Sequence, residues 1–233
     1  MKRILSIAML IVALGGAAEV VDRVAAIVNG RAILVSQVDE SARFAALVEG
    51  RKPSNIADRD RAAALVRLID QELIRQRIDS AGVLTATDQE IAVKAAEVRK
   101  QIAANLDDAG WQARLAEYGL DDTDFSAQLR GGLDELRFVE VRFRPSAHIT
   151  APEIEAYYRD QYVPKMRSAG AKEKPLTDVR SQIEEILVQQ QVDSLLSTWL
   201  QNLRSEGDVH VLVNFGIAEP KPAGTSGSSS QSH

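Results

Sequence analysis

The stretch VDRVAAIVNGRAILVSQVDE, Val21 to Glu40, decides the fold of this chain. Two short apolar runs, Arg23–Val28 and Ile33–Val35, flank Asn29-Gly30. That dipeptide tolerates positive φ at both central positions of a type I′ turn, so the stretch predicts a tight β-hairpin. A lone two-stranded hairpin is marginal in water, and a third strand is expected. The other segment alternating at period two is DVHVLVNF, Asp208 to Phe215, near the far end of the chain. Pairing Val209–Val213 with either Arg23–Val28 or Ile33–Val35 would tie the two ends of the chain together. The expected fold class is therefore mainly α, with a small antiparallel sheet built from an N-terminal hairpin and a C-terminal strand.

Between these strands the apolar residues recur at helical spacing. Ser36 is expected to cap a first helix, with Asp39 in its first turn and Val38, Phe44, Ala45 and Val48 on its apolar side, ending at Gly50. Arg51–Asp60 reads as a loop. A helix from about Arg61 to Ser80 carries Leu65, Ile69, Leu73 and Ile74. Thr87–Glu90 is a capping box opening a helix through Ala104 with Ile91, Val98 and Ile102 inward. A short helix spans Gly110–Gly119. From Asp122 a further helix places Phe125, Leu129, Leu133 and Leu136 in one stripe, and Gly131-Gly132 within it predicts a kink or a close helix crossing. A second capping box, Thr150–Glu153, starts a helix with Pro152 in its first turn. Val163–Pro175 reads as a linker. The last helix, Thr177–Ser205, has the stripe Val179, Ile183, Ile186, Val192, Leu195, Trp199 and Leu203, and at about 29 residues would be roughly 43 Å long.

The N-terminus reads as a secretory signal peptide over residues 1–18. Lys2 and Arg3 precede the apolar run Ile4–Leu14, and small residues lead to an expected cleavage between Ala18 and Glu19. The apolar run is too short to span a bilayer, so no stable membrane insertion is expected after cleavage, and Glu19 stands where a lipid-bearing cysteine would be needed. The formal net charge is −5, and residues 1–18 hold two of the cations and no carboxylate, so the remainder is more acidic still. Such a balance argues against nucleic-acid binding, which draws on concentrated positive charge. Cysteine is absent, which removes thiolate chemistry and disulfides while remaining compatible with an oxidising compartment. Residues 217–233 are rich in proline, glycine and serine and are expected to be disordered.

Residues for catalysis are hard to find. His148, His210 and His233 have no partners at metal-ligand spacing, so no metal site is expected. No phosphate-binding glycine loop and no G-x-S-x-G elbow occurs, and no cofactor is expected. The carboxylates Asp121, Asp122 and Asp124 fit a helix N-terminus, and Glu184-Glu185 a solvated face, better than a paired-carboxylate site.

In order along the chain, V-x-x-V-A-x-I-V-N, the second apolar strand with S-x-V-D, the helix Arg61–Val83, Leu115–Leu120 and Thr150–Tyr158 resemble the N-terminal domain of the SurA family of periplasmic chaperones. The long helix and Val209–Val213 resemble the C-terminal segment that returns to that domain. The resemblance implies one chaperone domain over residues 19–216, built from 19–162 and the returning 175–215. In relatives with isomerase activity a parvulin domain is inserted before the long helix, whereas here only Val163–Lys174 occupy that gap, without a histidine or aromatic residue for a proline pocket. The resemblance therefore implies an ATP-independent, non-enzymatic chaperone in the periplasm. Its partners would be unfolded or extended polypeptides, with outer-membrane protein precursors among them. The alternatives are a residual peptidyl-prolyl isomerase and an assembly module that binds one fixed partner through the long C-terminal helix. The sequence nominates no peptide-binding residues and sets no oligomeric state.

Overall fold

Asn29 and Gly30 take φ of +50° and +81°, the pair of left-handed conformations that a type I′ turn requires. Around them the computed structural model, which describes residues 22–81 and 85–216, pairs β1 (Val24–Val28) with β2 (Arg31–Leu34). The expected signal peptide with Ala18 and Glu19, and the tail 217–233, lie outside the described residues. The third strand is β3 (Val209–Val211), and it joins β1 rather than β2, giving the order β2-β1-β3. In that antiparallel register Ala26 faces Val211 and Val28 faces Val209. Beyond β3 the Leu212 and Val213 N–H groups both donate to the Ala25 carbonyl, at 2.8 and 3.1 Å.

Strand β2 runs straight into α1 (Val35–Val48). Ser36 is not its cap, contrary to expectation. The Val35 N–H already donates to the Arg23 carbonyl across the hairpin, the Gln37 side chain accepts the Leu34 N–H at 2.8 Å, and the Ser36 hydroxyl turns outward to donate to Asp22. The buried face of α1 is Val38, Ser41, Ala42, Ala46 and Leu47, and Val48 is exposed instead of inward. After a 3-10 turn at Pro53–Asn55 comes α2 (Asp58–Ala81), which begins three residues earlier than its apolar stripe suggests because Asp58 and Asp60 occupy its first turn.

Helix α3 (Asp88–Ile102) opens on the expected capping box: Thr87 donates its backbone N–H to Glu90 at 2.7 Å and accepts the Glu90 N–H at 3.3 Å. Helix α4 (Asp108–Glu117) is capped by Asp107, which takes the Gly110 N–H, so Gly110 lies inside the first turn rather than ahead of it. Helix α5 (Asp122–Phe143) passes through Gly131-Gly132 without interruption. A Cβ at Gly131 would meet only the Gln71 side chain at 3.9 Å, and one at Gly132 would meet nothing, so neither residue marks a tight crossing. The expected stripe also changes sides: Phe125 and Leu129 are buried, Leu136 is 54% exposed, and Phe138, Val139 and Phe143 take over.

The first six residues of the expected linker, Val163–Ser168, are helical, whereas the rest, Ala169–Pro175, has no helix. Helix α6 (Ala151–Tyr157), a π-helical turn at Tyr158–Tyr162 and α7 (Val163–Ser168) follow one another directly. Pro164 can donate no backbone bond to the preceding turn, and the wider π turn absorbs that loss so that helix resumes after it. Helix α8 (Leu176–Glu206) has 31 residues and a length of about 46 Å.

Four apolar clusters form the interior of the described residues. One lies under the sheet, joining Ala25, Val28, Ile33 and Val38 to Leu65, Leu73 and Leu203. A second packs Leu47 and Val98 around Trp111, Leu115 and Phe125. The third sets Ile74, Ile78, Phe138 and Phe143 against Val192 of α8, and the fourth closes Ile154 of α6 on Val179 and Ile183. Trp199 bridges the first and third, with ring centroids 5.4 Å from Phe138 and 5.5 Å from Phe143. Helix α8 thus spends most of its apolar stripe on its own chain, while Ile186 and Leu195 are half-buried.

Candidate functional site

Two adjoining depressions, of about 240 and 340 Å³, run along one side of α5 and share Gln37, Leu68 and Gln71. Together they make a trough. One wall is α5 from Thr123 to Glu135, the floor is α2, and the other wall is β2 with the start of α1. The floor sets half-buried Leu68 and buried Ile74 and Ile78 among Gln71, Glu72, Arg75 and Asp79, with buried Ile33 of β2 beside them. The rim carries the amides Gln37, Gln71 and Gln128. Strand β2 is the outer strand on this side of the sheet, and among the described residues no strand pairs with its far edge, while Ala32 and Ile33 line the trough.

The helical repeat explains the polar wall. Asp124, Gln128, Gly131 and Glu135 recur at spacings of three and four along α5, one row round the helix from buried Phe125 and Leu129, and buried Phe138 continues their own row one turn past Glu135. Gly131 contributes open space in mid-wall.

The trough's carboxylates sit in different environments. Burial pushes the Glu135 carboxyl above the usual carboxylate range, and the charge of Asp70 adds to it against a hydrogen bond from Gln71 and the attraction of Arg67. Burial acts the same way on Glu72, yet hydrogen bonds from Arg75 and Gln76, with the charges of Arg75 and Arg31, outweigh it and hold that carboxyl below the range. Arg75 grips Glu72 with two bonds of 2.7 and 2.8 Å and reaches Asp79 at 2.8 Å. Glu40 accepts from Gln128 at 2.8 Å, and Asp134 accepts the Ala86 N–H at 2.5 Å.

Other concave surfaces flank α5. A depression of about 320 Å³ between α3 and α5 contains Val93, which is 51% exposed, and half-buried Leu133. A wider hollow of about 660 Å³ lies among α3, α4 and α5 over Trp111, with Arg99 5.7 Å from the ring centroid.

The residues that sequence reasoning weighed for chemistry are scattered. His148 is exposed, and His210 is exposed and contacts Asp208 at 2.7 Å. Asp121 and Asp124 bond each other's backbone N–H as a helix cap, Asp122 accepts the Trp111 indole N–H at 3.1 Å, and Glu185 meets Arg144 at 2.6 Å. No group of three or more histidine or acidic side chains among the described residues is arranged to hold a metal ion. No described helix is long and apolar enough to cross a membrane. Sequence reasoning missed the trough, although the row of polar and small residues Asp124, Gln128, Gly131 and Glu135 along α5 was a usable signal.

No family model matches the chain. Over 145 residues, 60% of this chain, it is 34% identical to "Chaperone SurA" of Salmonella choleraesuis (strain SC-B67). It is 33% identical, over the same share, to the proteins of that name from Salmonella paratyphi A and Salmonella typhimurium. The chain spans about a third of the length of these curated relatives, 33% in each case.

Proposed function

We infer that this protein is a chaperone: it holds unfolded or extended polypeptides in the trough between β2, α2 and α5, reversibly and without ATP. The observation that carries this reading is the trough itself, whose floor holds Leu68, Ile74 and Ile78, rimmed by amide side chains and bordered by a strand edge that no described strand pairs with. Such a surface takes apolar side chains and main-chain hydrogen bonds without reading a defined sequence. The similarity to chaperones called SurA supports the same reading. The N-terminal signal pattern supports a periplasmic location, with exported proteins, outer-membrane precursors among them, as the clients. No covalent step is involved.

The test is aggregation suppression. Several unrelated unfolded clients are diluted from denaturant in the absence of ATP, and light scattering is followed. Suppression of most of them near equimolar protein is the expected result. Failure with all of them, together with tight binding of one folded protein, would sink the chaperone reading in favour of an assembly module. Acceleration of cis/trans exchange in a proline peptide would instead restore the isomerase alternative.

A further inference from the structure

The charges of the trough are unevenly spent. Its lining contains six carboxylates, Glu40, Glu72, Asp79, Asp124, Asp134 and Glu135, and a single cation, Arg75. Arg75 is committed to Glu72 and Asp79. The others bond to neutral groups: Glu40 to Gln128, Asp124 to the Asp121 N–H, Asp134 to the Ala86 N–H and Glu135 to Gln71. Asp70, beside Glu135, is held by Arg204 on the far side, with bonds of 2.8 and 2.5 Å. Arg31, 3.7 Å from Glu72, and Arg67, whose charge acts on Glu135, offset part of this, and the trough keeps an excess of carboxylates over cations.

Geometry orders that excess. Asp124 and Glu135 are eleven positions apart on α5, three turns, which returns them to one face about 16 Å apart. An extended chain covers that distance in about five residues at 3.3 Å each. Glu40, on α1, faces this wall through its bond to Gln128.

We propose that the trough selects extended polypeptide segments carrying lysine or arginine, laid along the open edge of β2 with apolar side chains on the floor and cationic side chains over Glu40, Asp124 and Glu135. This rests on the chaperone reading above and adds to it a preference of sign. Complementary charge of this kind steers encounter and rejects the wrong partner more than it adds raw affinity.

Three dye-labelled peptides test it with the full-length chain: one apolar β-forming sequence with lysine, glutamine or glutamate at alternate positions, followed by fluorescence anisotropy. The lysine peptide is expected to bind about tenfold more tightly than the glutamate peptide at low salt, with the gap closing in high salt. The double variant Glu40→Gln/Glu135→Gln should lose most of that gap, and a far-UV circular dichroism spectrum matching the parent's shows that it is folded. Glu184→Gln/Glu206→Gln, an equal charge change on exposed positions of α8, should leave the gap intact. A single Glu40→Lys change should narrow it from the rim alone. Equal binding of the three peptides overturns the preference and leaves polypeptide binding standing. Equal losses in the two double variants also overturn it, since net charge would then be the cause. Binding of none of the peptides, with no aggregation suppression, removes both readings together.

Discussion

Asn29 and Asp208, 179 positions apart, hold each other by two hydrogen bonds: the Asp208 N–H donates to the Asn29 side-chain oxygen at 2.9 Å, and the Asn29 N–H donates to the Asp208 carbonyl at 2.8 Å. The same asparagine donates its side-chain amide to Gln76 of α2 at 2.8 Å. One turn residue thus fastens the hairpin to β3 and to the longest helix of the N-terminal half. Asn29→Gly keeps the left-handed backbone and loses the side-chain bonds, so about 1 kcal/mol of stability should go. Asn29→Ala loses both and should cost about 2 kcal/mol. Urea midpoints measure the two, and an alanine variant no weaker than the glycine one would contradict the account.

Removing Asp208–Phe215 takes away β3, the bonds to Ala25 and the cover that Val209, Val213 and Phe215 give the core beneath the sheet. It also bares the edge of β1. Stability should fall by about 3 kcal/mol or more, with a lower thermal midpoint and a greater tendency to aggregate. Unchanged unfolding would mean that the strand does not matter to the fold.

Trp199→Ala removes the ring that joins the cluster under the sheet to Phe138 and Phe143. The loss should be about 3 kcal/mol, at the low end for a tryptophan because the ring is only half-buried. Because Trp111 lies in a different cluster, the tryptophan emission that survives in this variant reports on α4 and α5 separately. A variant as stable as the parent would show that α8 docks without it.

Glu135 gives a pH signature. Burial, with Asp70 beside it, raises the folded-state value of its carboxyl, so the folded chain binds this proton more tightly than the unfolded chain does. Between the ordinary carboxylate range and that raised value, stability falls as pH rises, and the full deficit is present above it. Glu135→Gln should therefore stabilise the protein at neutral pH, and the gain should vanish in acid where both states are protonated. Denaturation midpoints across pH measure this, and a gain that is absent at neutral pH or persists in acid would sink it.

Capping boxes and the hairpin turn were legible because their chemistry is local. Thr87 and Glu90 find each other three residues apart, and Asn29-Gly30 needs no distant partner to choose its turn. Ser36 was misread because its competitor is distant in sequence: the Arg23 carbonyl, across the hairpin, receives the Val35 N–H. Only Ala169–Pro175 of the expected linker is non-helical; Val163–Ser168 is helix because a π turn, which leaves no periodic trace, carries the chain past Pro164. Of the trough, only the row of polar and small residues along α5 left a trace in the sequence. The trough's walls come from β2, α1, α2 and α5, and Glu40, Gln71, Asp124 and Glu135 each look in sequence like ordinary solvated positions.

What the sequence by itself determined is the set of elements and the joining of the two ends, since turn preferences, caps and apolar periodicity act over a few residues. Only the tertiary structure decided that β3 lies on β1 and that no described strand takes the far edge of β2, that α8 buries its stripe against its own chain, and that β2, α1, α2 and α5 converge on one trough. Those outcomes depend on which surfaces meet, and the free energy of burying them belongs to pairs of segments far apart in the chain.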